Sequence, residues 1–554
     1  MTFTEQQLEL RYCLLACAFI VAGLLPADGT AAPQADTKSS SAAPQPAIAD
    51  QNFQQGLLAL QEKHFQTALD KLSAAEQEHP TDPRVRNFRG IALAELGETA
   101  EAAAEYREAI RLDPKLADAY RNLGFLEWTE QQLEAARMDL QRAVELSPDD
   151  SFVHYYLGRV HLDAQRYPEA FDELARSRVP WPDDAVLLIK AATGYTSIGR
   201  TEDARRTLGR LRDRPLTDAQ ASQTAALLLR VNREDEAIRL LKKIASGNSF
   251  SKTWAQFDLA MAHLLARDYE KADSEARAYI GSLKQPDTSQ SQAAQAWCLI
   301  GIANARLGRA QHAVDAFQQA ANLAPSQEEN WLNLTRELMA VSRYPEAIEA
   351  VQQGLACYPK SYALHLRLGA TYLAAGRYAE AEAVFRDLVA AGDPLPTGYV
   401  GLAQVLLRTG RADEAASELA AAQQKLGPNF LVSYFRGLAL EHAAQPTEAL
   451  SAFQDAVKLD PKSAEAHLGV GQAKLALGQP REAIPELESA LQLDPKNLQA
   501  RRLLSMAHRK AGDVTSAKKY AQATSSEPAA APTNDLVMDF FLPAWQSPPE
   551  SANN

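Results

Sequence analysis

An alanine recurs at a fixed interval through most of this chain. It falls at Ala68, Ala102, Ala136, Ala170, Ala204, Ala237, Ala272, Ala313, Ala347, Ala381, Ala415, Ala449, Ala483 and Ala517. The steps are 34 residues four times, then 33, 35 and 41, then 34 six more times. A strict period of this length marks one supersecondary unit copied end to end. Each unit buries its apolar face only against its neighbours, so the chain lengthens without enlarging a single core.

Two companion positions keep the same interval. Twelve residues before the alanine stand Gly56, Gly90, Gly124, Gly158, Gly301, Gly369, Gly437 and Gly471, and the other six slots hold Ala192, Ala225, Ala260, Thr335, Ala403 and Ser505, all small. Twelve residues after it stand Pro80, Pro114, Pro148, Pro182, Pro325, Pro359, Pro461 and Pro495. Between these markers apolar residues fall at helical spacing, in the first unit over 53–61 and again over 65–77. Small residues at the two inner slots let paired helix backbones approach. The proline cannot continue a helix, so it ends the second one. The reading is all-α, with about fourteen helix-turn-helix units. The composition agrees: 46% of residues are hydrophobic and 23% charged, which suits a folded chain, and aromatics are only 7%.

The pattern resembles the tetratricopeptide repeat family, whose signature is W-x2-L-G-x2-Y, then A-x3-F, then P over 34 residues. Repeat 8 carries Trp297, Ile300-Gly301, Ala313, Phe317 and Pro325, and repeat 10 carries Leu368-Gly369, Tyr372, Ala381 and Phe385. The resemblance covers about 49–531. It implies an α-solenoid wound as a right-handed superhelix, with the first helices lining a concave groove.

The chain divides on composition. Residues 1–29 hold an apolar run at 12–25 (YCLLACAFIVAGLL) followed by small residues, and read as a secretory signal peptide, since a spanning helix needs about 20 apolar residues. A retained signal-anchor and lipidation at Cys17 are the alternatives. Residues 30–48 read as a Pro-, Ser- and Ala-rich tether. Repeats 1–4 span 49–184. Repeats 5–7 span 185–293, lack the glycine, and take in a polar stretch at 281–293 that reads either as a hinge or as a surface loop. Repeats 8–14 span 294–531, and 532–554 form a tail with an apolar segment at 535–545 (DLVMDFFLPAW). That segment reads as a cap on the last repeat, a self-docking strand in the groove or a motif for a partner.

No catalytic signature appears: no G-x-x-x-x-G-K-[ST], G-x-S-x-G, H-E-x-x-H or C-x-x-C. Gly469-Val470-Gly471 starts like a dinucleotide fingerprint, but it falls mid-helix and lacks the third glycine. His154 and His161 share a helix face without a third ligand, which makes no metal site. Glu169, Glu346, Glu448 and Glu482 each precede the repeat alanine, on the solvated side of the second helix. No cofactor is expected and the chain reads as non-enzymatic. The net charge is −13 with no run of five basic residues, which weighs against nucleic acid as a partner. After loss of the signal segment, membrane insertion is not expected either.

The resemblance also implies which side chains reach the groove. They are Arg84, Asn87 and Glu95 in repeat 2, then Asp118, Arg121, Phe125 and Trp128, then Phe152, Tyr155, Arg159 and Asp163. Arginine interleaved with aromatic rings is the composition of an interface hot spot. Repeats 7, 9, 10 and 12 present an apolar groove instead, with Trp254, Phe257, Met261 and Leu264, Leu332 and Met339, Leu366 and Leu373, and Leu431, Tyr434 and Leu438. No repeat has the Lys–Asn pair with which some family members grip a chaperone C-terminus. The expectation is an exported, periplasmic or envelope-associated scaffold that binds proteins or peptides along its concave face. A component of an envelope assembly machine, for polysaccharide export or outer-membrane assembly, is the alternative.

Overall fold

The computed structural model describes residues 51–181, 184–247, 251–283, 290–392 and 395–525. The signal segment, the tether and the apolar tail segment lie outside these residues. Among the described residues there are 28 α-helices and no strand, and they pair into fourteen antiparallel hairpins. The first hairpin joins Gln51–Gln61 to Phe65–Glu78, and the last joins Leu498–Lys510 to Val514–Ser525. The fourteen alanines explain the period. Thirteen are wholly inaccessible, and Ala517 is 3% exposed.

The glycine slot shows what sets its size. A β-carbon on Gly90 would lie 2.6 Å from the ring of Tyr106, and one on Gly301, Gly369 or Gly437 would lie 2.6 to 2.8 Å from Phe317, Phe385 or Phe453. In each hairpin the opposing residue stands sixteen positions on. Where the slot holds Ala, Thr or Ser, that residue is Leu208, Leu241, Ala276, Val351, Leu419 or Ala521, never an aromatic ring. In the other four glycine hairpins it is Leu72, Leu140, Leu174 or Leu487, so an opposing ring goes with glycine while leucine is found opposite either glycine or alanine.

Every hairpin turns through one left-handed residue, five before its alanine. Seven are glycines: Gly97, Gly199, Gly308, Gly376, Gly410, Gly478 and Gly512. The others are Lys63, Gln131, Gln165, Asn232, Arg267, Ser342 and Ala444. The turn ends the first helix in a Schellman motif, as where the N–H of Glu98 reaches the carbonyl of Leu93 at 2.9 Å. The next repeat then starts from a polar cap. The side chains of Asp82, Asp150, Asp184, Thr217, Ser361, Asn429, Ser463 and Asn497 each accept a backbone N–H from the first turn.

Consecutive repeats are also riveted through the proline. Trp331 Nε1 donates to the carbonyl of Pro325 at 3.0 Å, and Arg501 donates to that of Pro495 at 2.5 Å. His154 Nε2 lies 2.8 Å from the carbonyl of Pro148, and His467 Nε2 lies 3.2 Å from that of Pro461. The proline leaves its carbonyl without a helical partner, and a donor six residues on supplies one.

The array forms two compact units, Met1–Ser251 and Lys252–Asn554. Twelve of the helices belong to the first and sixteen to the second. The division falls inside the irregular stretch, between repeats 6 and 7. The polar stretch at 281–293 is helical at both described ends: one helix runs to Ser282, and the next, Gln290–Arg306, is 17 residues long. Part of the longer step therefore lengthens the first helix of repeat 8.

Candidate functional site

In the first unit, the groove residues of repeats 3 and 4 form one internally bonded cluster. Trp128 is 1% exposed, and its Nε1 donates to Asp163 Oδ2 at 2.8 Å. The guanidinium of Arg159 lies 4.9 Å from the Trp128 ring centroid and donates to the Tyr155 hydroxyl at 2.8 Å. Phe125 packs tilted on Tyr156 with centroids 4.9 Å apart and meets Trp128 edge-on. Arg121 is buried between Asp118 at 2.9 Å and Asp150 at 2.6 Å. Phe152 is half-buried beside them, on the helix that Asp150 caps.

Repeat 2 is arranged differently. Arg84 is exposed, pairs with Asp82 at 2.7 Å and covers the ring of Phe53. Asn87 is buried and accepts from Asn122 Nδ2 at 2.9 Å. Burial pushes the Glu95 carboxyl up to about 7, against the pull of Lys63. The eight residues expected to meet a partner therefore lie on the first helices, but Asn87, Arg121, Trp128, Tyr155 and Arg159 are buried and bonded to their neighbours.

The open part of this face is one repeat further on. A pocket of about 510 Å³ lies among the first helices of repeats 4, 5 and 6, lined by Leu162, Asp163, Val186, Ile189, Lys190, Thr193, Gln220, Gln223, Ala226, Leu227 and Arg230, with Gln165 and Tyr167 from the turn and second helix of repeat 4. Asp163 joins it to the aromatic cluster. One oxygen takes the Trp128 indole, and the other takes Lys190 Nζ at 2.8 Å. The walls combine branched apolar side chains with two exposed glutamine and arginine side chains, Gln223 and Arg230. Such a surface takes an apolar side chain on its floor and satisfies backbone amides at its rim. Sequence reasoning missed this pocket because repeats 5 and 6 lack the regular markers. The signal was there: Val186, Ile189, Thr193, Ala226 and Arg230 occupy the groove positions already assigned in repeats 2–4.

In the second unit the apolar groove positions are largely committed to packing. Met339 and Tyr434 are buried, and Leu332, Leu366, Leu373, Leu431 and Leu438 are half-buried against the core of repeats 8–13. Phe257, Met261 and Leu264 pack beside Leu299 and Ile300. The Trp254 side chain lies outside the described residues.

The acidic residues that precede the repeat alanine lie on the surface. Glu169, Glu346, Glu448 and Glu482 are all exposed, and Arg343 holds Glu346 below the usual carboxylate range. His154 sits between Glu173 at 2.5 Å and the Pro148 carbonyl, and burial pushes His161 down. Gly469 and Gly471 face Phe453 and Leu487, so both glycines serve helix packing. Cys298 and Cys357 are free thiols. Among the described residues no group of three metal-ligating side chains converges, and no helix is long and apolar enough to cross a membrane.

Family profiles match the same repeats. A profile described as TPR repeat covers 90–130, and profiles described as Tetratricopeptide repeat cover 122–185, 294–327, 332–396, 441–486 and 474–530. The chain belongs to the tetratricopeptide repeat family. Its curated relatives include the BBSome complex member BBS4 of Xenopus tropicalis, 30% identical over 128 residues, which is 23% of this chain and 25% of that protein. The human protein O-mannosyl-transferase TMTC1 is 31% identical over 113 residues, 20% of this chain and 13% of that protein. The chain thus spans a quarter or less of the length of these relatives. Among solved structures, yeast Tom70 aligns with 88% of this chain and 98% of its own at 14% identity and a TM-score of 0.38. A tetratricopeptide repeat protein from Parabacteroides merdae aligns with 46% of this chain and 98% of its own at 14% identity and a TM-score of 0.37.

Proposed function

We propose that this tetratricopeptide repeat protein is a non-catalytic scaffold whose first unit holds an extended segment of a partner protein in the pocket of repeats 4–6. One observation carries the reading. Arg121, Trp128, Tyr155 and Arg159 are buried and engaged with neighbouring residues, while the neighbouring pocket is open and lined from three successive first helices. The cluster is then the rigid buttress and the pocket the contact surface. Rigid support lowers the ordering cost of binding. The apolar floor takes side chains of the bound segment, and Gln220, Gln223 and Arg230 meet its backbone and acidic groups. Export to the periplasm or envelope belongs to the same proposal and is supported by the apolar run at 12–25.

Ala226→Trp tests it. Ala226 is exposed on the pocket wall, so an indole there fills the pocket without entering the core. Partner capture from the native extract should fall at least tenfold with helix content unchanged. Undiminished capture would refute the placement.

A further inference from the structure

The second unit buries an arginine that has no acid. Arg367 lies on the helix Tyr362–Ala374, is only 8% exposed, and its Nη1 has no hydrogen-bond partner. An unpaired buried guanidinium is rare, because losing its hydration is costly unless an anion replaces the water. A second arginine, Arg336, stands on the neighbouring first helix, Glu328–Ala340, and is half-buried. Among the described residues no ion pair joins either one to a carboxylate.

The packing brings the two together. Thr371 Oγ1 contacts Met339 Sδ at 3.2 Å, which fixes the register between these two helices. One turn back from Thr371 is Arg367, whose carbonyl accepts from Thr371 Oγ1 at 2.7 Å. One turn back from Met339 is Arg336. Arg306, exposed at the end of the helix Gln290–Arg306, is the next in line. Three successive first helices thus carry an arginine each, exposed in repeat 8, half-buried in repeat 9 and buried in repeat 10.

We infer that Arg336 and Arg367 form a binding site for an oxyanion, a phosphate or carboxylate group, with Arg306 at its mouth. Two planar guanidiniums offer paired donors in the geometry such a group accepts. The electrostatics agree. Burial, and then the charge of Arg336, push the Arg367 guanidinium down to about 10, and burial lowers Arg336, opposed by Glu337 and reinforced by Arg306. Arg336 and Arg367 are thus held close as like charges, and neither makes an ion pair with a carboxylate among the described residues. Glu337 adjoins Arg336, and burial pushes its carboxyl up against the pull of Arg336. A bound oxyanion reverses all of these costs. This site is separate from the pocket of repeats 4–6 and does not depend on it.

Calorimetric titration of the full chain at constant ionic strength tests the inference. The probes are inorganic phosphate and a capped hexaglutamate peptide. Saturable binding of either probe is expected, weakened at least tenfold in Arg367→Met and in Arg336→Met, and unchanged in Arg277→Met, which alters an exposed arginine paired with Asp273. Tighter binding of phosphate assigns the site to a free or phosphoryl oxyanion, and tighter binding of the peptide assigns it to an acidic segment. Phosphate should also raise the unfolding midpoint of the wild type but not of Arg367→Met. A merely structural Arg367 would leave that increment equal in both. If Arg367→Met does not fold, Arg336→Met, at a half-exposed position, gives the decision. No saturable binding of either probe, or binding unchanged in the arginine variants, overturns the inference.

Discussion

The ring of Phe453 occupies the space that a side chain on Gly469 would need: a β-carbon there would lie 2.6 Å from the ring. A β-carbon on Gly437, on the preceding first helix, would lie 2.6 Å from the same ring. One phenylalanine is clasped by glycines from two repeats, so it couples packing within a hairpin to packing between hairpins. Gly469→Ala should destabilise the second unit by about 1–3 kcal/mol, the usual cost of overpacking. Adding Phe453→Leu should recover part of that loss. Urea denaturation of the single and double variants measures the coupling, and strict additivity would contradict it.

The left-handed turn residues give a second prediction. Ala444 and Gln131 adopt positive φ with a β-carbon, which costs roughly 1 kcal/mol. Ala444→Gly should be neutral to stabilising, because relief of strain offsets the flexibility gained in the unfolded chain. Gly410→Ala, at the matching position, should destabilise. Paired thermal melts of the two variants check the opposite signs.

A buried glutamate beside a half-buried aspartate predicts a pH dependence. Burial, and then the charge of Asp139, push Glu127 from its ordinary 4.5 up to about 7, and burial raises Asp139 as well. A raised carboxyl binds its proton more tightly in the folded state. Its contribution is therefore full below about 4.5 and is lost as pH rises toward 7. The unfolding midpoint should fall between pH 5 and 8, and Glu127→Gln should flatten that slope. An unchanged slope in the variant would contradict the assignment.

Much of the fold was legible because its markers are residues with one dominant role. The recurrent alanine could only mean a contact too close for anything larger, and Gly437 opposite Phe453 follows from the same interval. The turn residue escaped notice because Lys63, Gln165 and Arg267 adopt the left-handed conformation that Gly97 and Gly410 advertise. The Trp331 and His154 rivets were missed because Trp, His and Arg share the role only through a donor atom. The residues named for the groove lie on the first helices. Their burial was not visible, since whether Trp128 faces a partner or Asp163 depends on a contact 35 residues away. Arg367 went unremarked for the same reason: burial without an acid is a property of packing.

Arg121→Ala combined with Tyr155→Ala tests the buttress. Arg121 links Asp118 to Asp150, the cap of the next helix, and Tyr155 holds Arg159. Removing a buried partner of this kind typically costs 1–3 kcal/mol. The double variant should lower the unfolding midpoint measurably, whatever it does to binding. An unchanged midpoint would show that the cluster is not a buttress.

The central claim is that a partner segment lies in the pocket of repeats 4–6. Its most direct test is a photo-crosslinking amino acid placed at position 226, on the pocket wall, and separately at position 145, exposed on the second helix of repeat 3. The account predicts a covalent partner adduct from position 226, mapping to one continuous segment, and none from position 145. Adducts from position 145 alone, or from neither position while the partner still co-purifies, would contradict it.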